Sequence, residues 1–224
     1  MDQNTTAVTA LRIEKTVKAL KDNNVTAVYV PTVCDVVPAV QSLLGQGDTV
    51  AYGGSQSLYE AGVIEHLRGG RYNLLDRDDP ALSKEQAQQV YRQAFFADAF
   101  LCSANALTEN GEIYNVDGRG NRVAAVLFGP KTVIMVVGVN KLVHDLQEAV
   151  RRVKAVAAPA NALRLSRDTY CAHKGECMSL ASGKDGMTCG CHSQERICAH
   201  YTVLGRQLDP DRIKVILVGE PLGY

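Results

Sequence analysis

Two stretches concentrate the side chains able to do chemistry. Between the apolar segments Asp98 to Leu101 and Thr132 to Val137 runs a long polar stretch punctuated by glycine, with Thr108, Glu109, Asn110, Asn115, Asp117, Asn121 and Arg122. Such loops recover their ordering entropy through internal hydrogen bonds or a ligand, so this one is expected to floor a site. Glu109 stands where a strand gives way to a turn. A partly buried carboxylate beside an anionic substrate has its pKa raised, the condition for a general acid or base near neutral pH. Glu109 is therefore the first catalytic candidate and Asp117 the second. Their competing roles are loop bracing or substrate hydrogen bonding for Glu109 and an Asx turn for Asp117. Arg122 is suited to clamp a carboxylate or phosphate with two parallel hydrogen bonds, or else to pair with Glu109, Glu112 or Asp117. Asn140 and Lys141, at the end of VVGVNK, join Asn110, Asn115 and Asn121 as candidate pocket residues. Gly53, Gly54 and Ser55 follow a short strand and precede a helix, an order that exposes backbone N–H groups to an anion. The alternative is a tight turn needed for packing. Ser103 lacks the flanking glycines of a nucleophile elbow, and no histidine is placed to activate it.

The second stretch is TYCAHKGECMSLASGKDGMTCGCHSQERICAHY, from Thr169 to Tyr201. Of the seven cysteines in the chain, Cys171, Cys177, Cys189, Cys191 and Cys198 fall here, with His173, His192 and His200 and little apolar material to support a core. Metal ligation would tie such a segment together, and thiolates suit an iron–sulfur centre or zinc. Cys171, Cys177, Cys191 and Cys198 make the best four-ligand set. The spacings match neither a zinc ribbon nor a ferredoxin run, so unliganded thiols, redox-dependent disulfides and a ligand shared with another subunit stand beside metal.

The 224 residues can bury a full core, and 24 basic against 24 acidic residues leave no overall field to draw in nucleic acid or an anionic membrane. No segment is apolar enough for a bilayer span, and the start lacks a basic region followed by an apolar run. A cytoplasmic protein is expected, in a reducing compartment.

The elements that must position these groups alternate. Helical periodicity covers residues 6–21, 36–44, 57–67, 83–97 and 145–156, with strands at 25–30, 49–52, 71–75, 98–101, 132–137 and 213–218. This order predicts a three-layer α/β fold with a mixed or largely parallel sheet, in one domain spanning 1–224, with a cysteine-rich insertion at about 169–201. The region 115–127 reads as an antiparallel hairpin. In open sheets of this kind ligands gather at the carboxyl ends of the strands, where Gly53, Asn110, Asn140 and Lys141 would converge.

The segments YGGSQSLYEAG from Tyr52, SANALTENGEIYNVDGRGNRVAAVLFGPKTVIMVVGVNK from Ser103, APANALRL from Ala158, CAHKGEC, ERIC and the terminal KVILVGEPLG resemble the lactate-utilisation domain family over most of the chain. The resemblance implies a fold similar to the sugar-phosphate isomerase and coenzyme A transferase group, with a site around strand ends. It also implies a link to lactate or another small 2-hydroxy acid. Family members in the oxidation complex work beside iron–sulfur subunits, but this chain lacks an added two-cluster ferredoxin domain. Cys171, Cys177, Cys191 and Cys198 fall on recurring positions of a stand-alone cysteine-rich subgroup. The stretch SLASGKDGMTCG enlarges the interval after Cys177 and leaves Cys189 without a role.

The first functional reading is an oxidoreductase component that binds a small 2-hydroxy or 2-oxo acid, works with a redox-protein partner or as a homo-oligomer, and needs an organic cofactor or partner to accept electrons. Arg122 and Lys141 would orient the carboxylate. An isomerase or acyl-transfer enzyme is the second reading, and a non-catalytic metal-binding or redox-sensing assembly protein the third.

Overall fold

The computed structural model describes residues 2–184 and 186–224. Ten strands are present among them: β1 (Thr26–Val30), β2 (Thr49–Tyr52), β3 (Asn73–Leu75), β4 (Ala99–Cys102), β5 (Ala106–Thr108), β6 (Ile113–Asp117), β7 (Thr132–Gly138), β8 (Leu142–Val143), β9 (His200–Leu204) and β10 (Ile213–Val218). The helices are α1 (Gln3–Asp22), α2 (Val36–Ser42), α3 (Gln56–Glu60), α4 (Val63–Arg68), α5 (Lys84–Gln93), α6 (Asn121–Phe128), α7 (Leu146–Arg152), α8 (Ala158–Arg164), α9 (Tyr170–Lys174) and α10 (Met178–Ala181). No helix among the described residues is long and apolar enough to cross a membrane.

Six strands form a sheet in the order β1-β10-β7-β4-β2-β3, and every pairing in it is parallel. The nearly unbroken Val, Ile and Met of β7 suit a strand covered on both faces. Val133, Met135 and Val137 enter one core cluster with Ile13 and Leu20 of α1 and Val126 of α6. Ile134 and Val136 enter another with Val36 and Val40 of α2 and Leu58, Ile64 and Leu67 of α3 and α4. Each such side chain, fully buried, contributes roughly 1.5–3 kcal/mol.

A second sheet, for which the sequence pattern carries no signal, is formed by β8-β5-β6-β9. Its strands are two to five residues long and lack a run of alternating residues, so their local signal is weak. Leu107, Ile113, Leu142 and Leu204 turn toward the first core cluster, while Ala106, Tyr114 and Val143 pack with Ala149 and Val153 in a third.

Three expectations need correction. The hairpin expected over 115–127 is replaced by a hairpin of β5 with β6, followed by α6. Gly120 at φ +80° turns the chain into that helix, and the Asp117 carboxylate accepts the N–H of Val123 at its first turn. The single helix expected over 57–67 is two, because Gly62 is left-handed at φ +68° and starts α4. The helix ending at 156 instead runs through a π turn, Val153–Ala157, into α8, and the carbonyl of Lys154, which Pro159 has no N–H to meet, accepts from Cys177 N at 3.0 Å.

Candidate functional site

The carboxyl ends of the parallel strands open into a recess of about 340 Å³. Gly54 and Ser55 follow β2, Arg77 follows β3, Ser103 and Asn105 follow β4, and Lys141 follows β7, so the sheet itself brings these distant residues together. Asp117, Asn121 and Arg122 enter from β6 and α6, and Arg164, Arg167 and Tyr224 close the other side. Arg77, Arg119, Arg122, Lys141, Arg164 and Arg167 face one carboxylate, Asp117, among the described lining residues.

Arg122 is the hub of this floor. Its Nε donates to Asp117 Oδ1 at 2.8 Å, one terminal nitrogen donates to Ser103 O and Asn115 Oδ1, and the other to Asn105 Oδ1 and Val116 O. All five N–H donors of the guanidinium are thereby directed at the protein. The expectation that Arg122 clamps a substrate carboxylate is thus corrected: it braces the turns after β4 and β6. Asp117 is spent the same way, one oxygen on Arg122 and the other on Val123 N, at 3.1 Å. Gly53 lies behind the lining, where a Cβ would stand 3.1 Å from Arg122 Cγ, and Gly54 lies against Arg77. Ser55 caps α3 by accepting Leu58 N.

Lys141 is the unusual group. It is 2 % exposed, and its Nζ donates to Ser57 Oγ at 2.7 Å and Ser103 Oγ at 3.0 Å. Burial first, then the charges of Arg152 and Arg122, hold its pKa down at about 7. A substantial fraction of this amine is neutral at physiological pH, able to take a proton. It also supplies the base beside Ser103 that no histidine could.

Glu109 lies elsewhere. Gly111, left-handed at φ +82°, lets the turn after β5 press onto α1, where a Cβ would sit 2.8 Å from the Ala19 carbonyl carbon. That contact brings Glu109 to Arg12 Nε at 2.6 Å and Lys15 Nζ at 3.0 Å, with His144 Nδ1 3.6 Å away. Burial pushes its pKa up, but hydrogen bonds from Arg12 and Lys15 outweigh this and hold the carboxyl below its usual range. Glu109 and Arg122 therefore share no recess. Asn110 stays on the same outer turn, its carbonyl accepting from Asn23. Asn140 is used on the C-terminal segment, accepting Leu222 N and donating to Gly223 O. Asn115 is buried against Arg122, behind the recess wall.

Three buried donors have no hydrogen-bond partner among the described residues: Arg77 Nε, Arg167 Nε and Asn115 Nδ2. Two are on the recess lining and the third is on a residue that holds Arg122. Arg77 Nε lies 3.4 Å from Asp78 Oδ1 but off line for a hydrogen bond, and its ring-stacked guanidinium rests 4.7 Å from the Tyr91 centroid. The sequence pattern singles out neither Arg77 nor Arg167, and it reads Ser57 only as a candidate helix cap and Arg164 only as added positive charge that could equally be solvated. Arg77 sits in DRDDP, where acidic neighbours make it look like a surface ion pair; its place just beyond a strand end was the usable signal.

The cysteine-rich stretch forms a separate cavity of about 30 Å³, lined by Cys171, Cys177, Cys189, Cys191 and Cys198. All seven cysteines of the chain are free thiols. Burial, then the neighbouring thiols of Cys171 and Cys177, push the Cys198 thiol up to about 12. Among the described residues no three of His, Cys, Asp and Glu are grouped so as to hold one metal ion.

Residues 13–218 match the family described as LUD domain. A solved structure of a DUF162 family protein from Deinococcus radiodurans is similar with a TM-score of 0.53 and 19% identity, over 94% of this chain and 98% of that one. Smaller likenesses reach eIF2B beta and eIF2B delta from Chaetomium thermophilum. The first has a TM-score of 0.37, 16% identity and coverage of 50% of this chain and 43% of that one. The second has a TM-score of 0.34, 18% identity and coverage of 50% and 49%. No curated protein matches the chain.

Proposed function

Because the chain belongs to the LUD domain family, we propose that it is a metabolic protein related to lactate utilisation, an oxidoreductase component whose recess holds a small 2-hydroxy or 2-oxo acid. Kinship with the sugar-phosphate isomerase and coenzyme A transferase group, and with the cysteine-rich stand-alone members of the family, belongs to the same proposal. The observation that carries it is the recess lining itself, which sets Arg77, Arg119, Arg122, Lys141, Arg164 and Arg167 against the one carboxylate of Asp117 among the described lining residues at the strand ends. An excess of cationic side chains around a concave, water-excluding space favours entry of a small anion. Arg77, Arg164 and Arg167 are the carboxylate-binding side chains in this reading, replacing Arg122. Lys141 is the proton-transfer residue, replacing Glu109 and Asp117. Its amine, with Ser57 and Ser103 as neighbours, takes the proton of a substrate hydroxyl or returns one to a carbonyl oxygen. Side chains offer no hydride sink, so electrons pass to an organic cofactor or a redox-protein partner.

Calorimetric titration of the full chain with lactate, pyruvate and their uncharged amides tests the reading. Saturable binding of the acids but not the amides is expected, weakened at least tenfold by Arg77→Ala. Failure of every 2-hydroxy and 2-oxo acid to bind the folded chain overturns it.

One observation favours acyl transfer as a second reading. A buried amine of lowered pKa within 3.0 Å of Ser103 Oγ is the arrangement of a serine–lysine nucleophile pair. Mass spectrometry after incubation with an activated ester separates the two: a stable acyl adduct on Ser103 supports transfer, and an unmodified Ser103 removes it.

A further inference from the structure

The surroundings of Lys141 Nζ are set by three separate elements. Lys141 ends the short turn Val139–Lys141 beyond β7, and Asn140 ties that turn to the C-terminal segment through Leu222 N at 3.1 Å and Gly223 O at 2.9 Å. Gly223, left-handed at φ +55°, presses on α3, where a Cβ would stand 2.7 Å from Ser57 Oγ. Both serines beside the amine have carbonyl acceptors for their own hydroxyl protons: Leu222 O for Ser57 at 3.2 Å and Ala104 O for Ser103 at 3.3 Å. Their oxygens are left to accept from Lys141 Nζ, at 2.7 Å and 3.0 Å. An ammonium has three N–H groups to satisfy, whereas a neutral amine has two and a lone pair. Among the described residues the two serine hydroxyls are the acceptors that meet this nitrogen, which matches the neutral amine and leaves its lone pair without a partner. Arg152, held by Asn105 O at 2.6 Å and Asn140 O at 3.0 Å, acts on the amine as a fixed cation, and Arg122 acts with it. Glu60 opposes them with a smaller effect.

We infer that Lys141 forms an imine with the keto carbon of a 2-oxo acid whose carboxylate the recess arginines hold. This chemistry rests on the small-acid reading of the recess and adds a covalent step which that reading lacks. Lys141 and Ser103 share one lining with Arg77, Arg164 and Arg167, so a short 2-oxo acid bound by its carboxylate carries its adjacent carbonyl in the same space as the amine. The lone pair adds to the keto carbon, forming the C–N bond and opening the C=O π bond. The oxygen takes one proton from the new ammonium through the Ser103 hydroxyl. A second proton from nitrogen follows, the C–O bond breaks, and water leaves into the recess. One amine and one ketone thus give one imine and one water, and no oxidant or reductant is consumed. A lysine removed from water beside fixed cations suits this step, because only the unprotonated amine is a nucleophile. The protonated imine draws electrons from the neighbouring carbon more strongly than the ketone does, which prepares the bound acid to lose a proton from C3.

The test treats the full chain with pyruvate and cyanoborohydride at neutral pH and locates the product by peptide mass spectrometry. A reduced pyruvyl adduct on Lys141 is expected, roughly tenfold or more above that on any exposed lysine, because an exposed amine stays protonated under these conditions. Lactate has no keto carbon, so it should compete and lower the adduct without forming one. Lys141→Arg should lose the adduct. Because that variant can fail to fold, hydrogen exchange gives a second measurement on the unaltered chain: in heavy water it should exchange the methyl protons of pyruvate, and prior treatment with pyruvate and cyanoborohydride should abolish the exchange. Saturable calorimetric binding of pyruvate with no adduct on Lys141 overturns the imine and leaves the acid site standing. Absence of both binding and adduct removes the acid reading and the imine with it. An adduct confined to exposed lysines overturns the assignment to Lys141.

Discussion

The polar recess and the thiol cavity solve opposite problems. Recess groups come from strand ends separated by much of the chain, and the parallel sheet sets their positions before any ligand arrives. Cavity cysteines come from one stretch, 171–198, where short helices and loops are tied by Arg196 and Lys154. In the recess, buried charge is tolerated because Arg122 and Asp117 satisfy one another and their turns. In the cavity, sulfur is placed against hydrocarbon, with hydroxyl neighbours at Cys171 and Cys177 among the described residues. The comparison teaches that ionised groups are held by a frame built from many segments, while thiols are gathered by one local stretch tied by a few side chains.

The largest effect should come from Lys141. Its folded pKa of about 7 lies below the ordinary 10.5, so between those pH values the unfolded chain binds the extra proton and stability rises with pH. The rise should be about 5 kcal/mol across that window, and Lys141→Met should flatten it in urea titrations while abolishing proton transfer. An unchanged pH slope would mean that the amine is solvated and charged, and would break the contrast with the cavity.

Next is Arg122→Ala, which strands Asp117 and frees five acceptors. A loss of about 3–4 kcal/mol in chemical denaturation is expected. A loss below about 1 kcal/mol, typical of an exposed ion pair, would return Arg122 to the role of ligand clamp.

The smallest effect should be that of Glu109→Gln, because Arg12 and Lys15 are each partly exposed. A cost of about 1 kcal/mol at neutral pH is expected. The folded carboxyl titrates below its usual value, so this contribution is present above the unfolded pKa and lost as pH falls through the folded one. Small-acid binding should be unaltered; a large change would place Glu109 functionally with the recess from which its geometry separates it.

Much of the frame was legible. The β-branched runs of β1, β7 and β10 carry enough unbroken apolar surface to specify buried strands, and Ser83 with Gln86 forms the capping box that starts α5. The second sheet was not, because β8 is two residues long and β5 three, and their pairing comes from contacts made only after the larger sheet exists. Of the recess lining, Lys141, Gly54 and Ser55 were legible from their place at strand ends. Arg77 was hidden by its acidic neighbours, and Ser103 was discounted because its basic partner is distant in sequence.

By itself, then, the sequence determined the alternation of strand and helix and the crowding of thiols into one stretch, since both depend on local pattern. Only the tertiary structure decided which polar residues meet. It turned Glu109 onto α1, spent Arg122 on the protein's own carbonyls and carboxylate, and buried Lys141 between two serines. The physical reason is that a charged side chain chooses its role by the partners within hydrogen-bond reach once water is removed, and those partners are supplied by strand order rather than by neighbours in the chain.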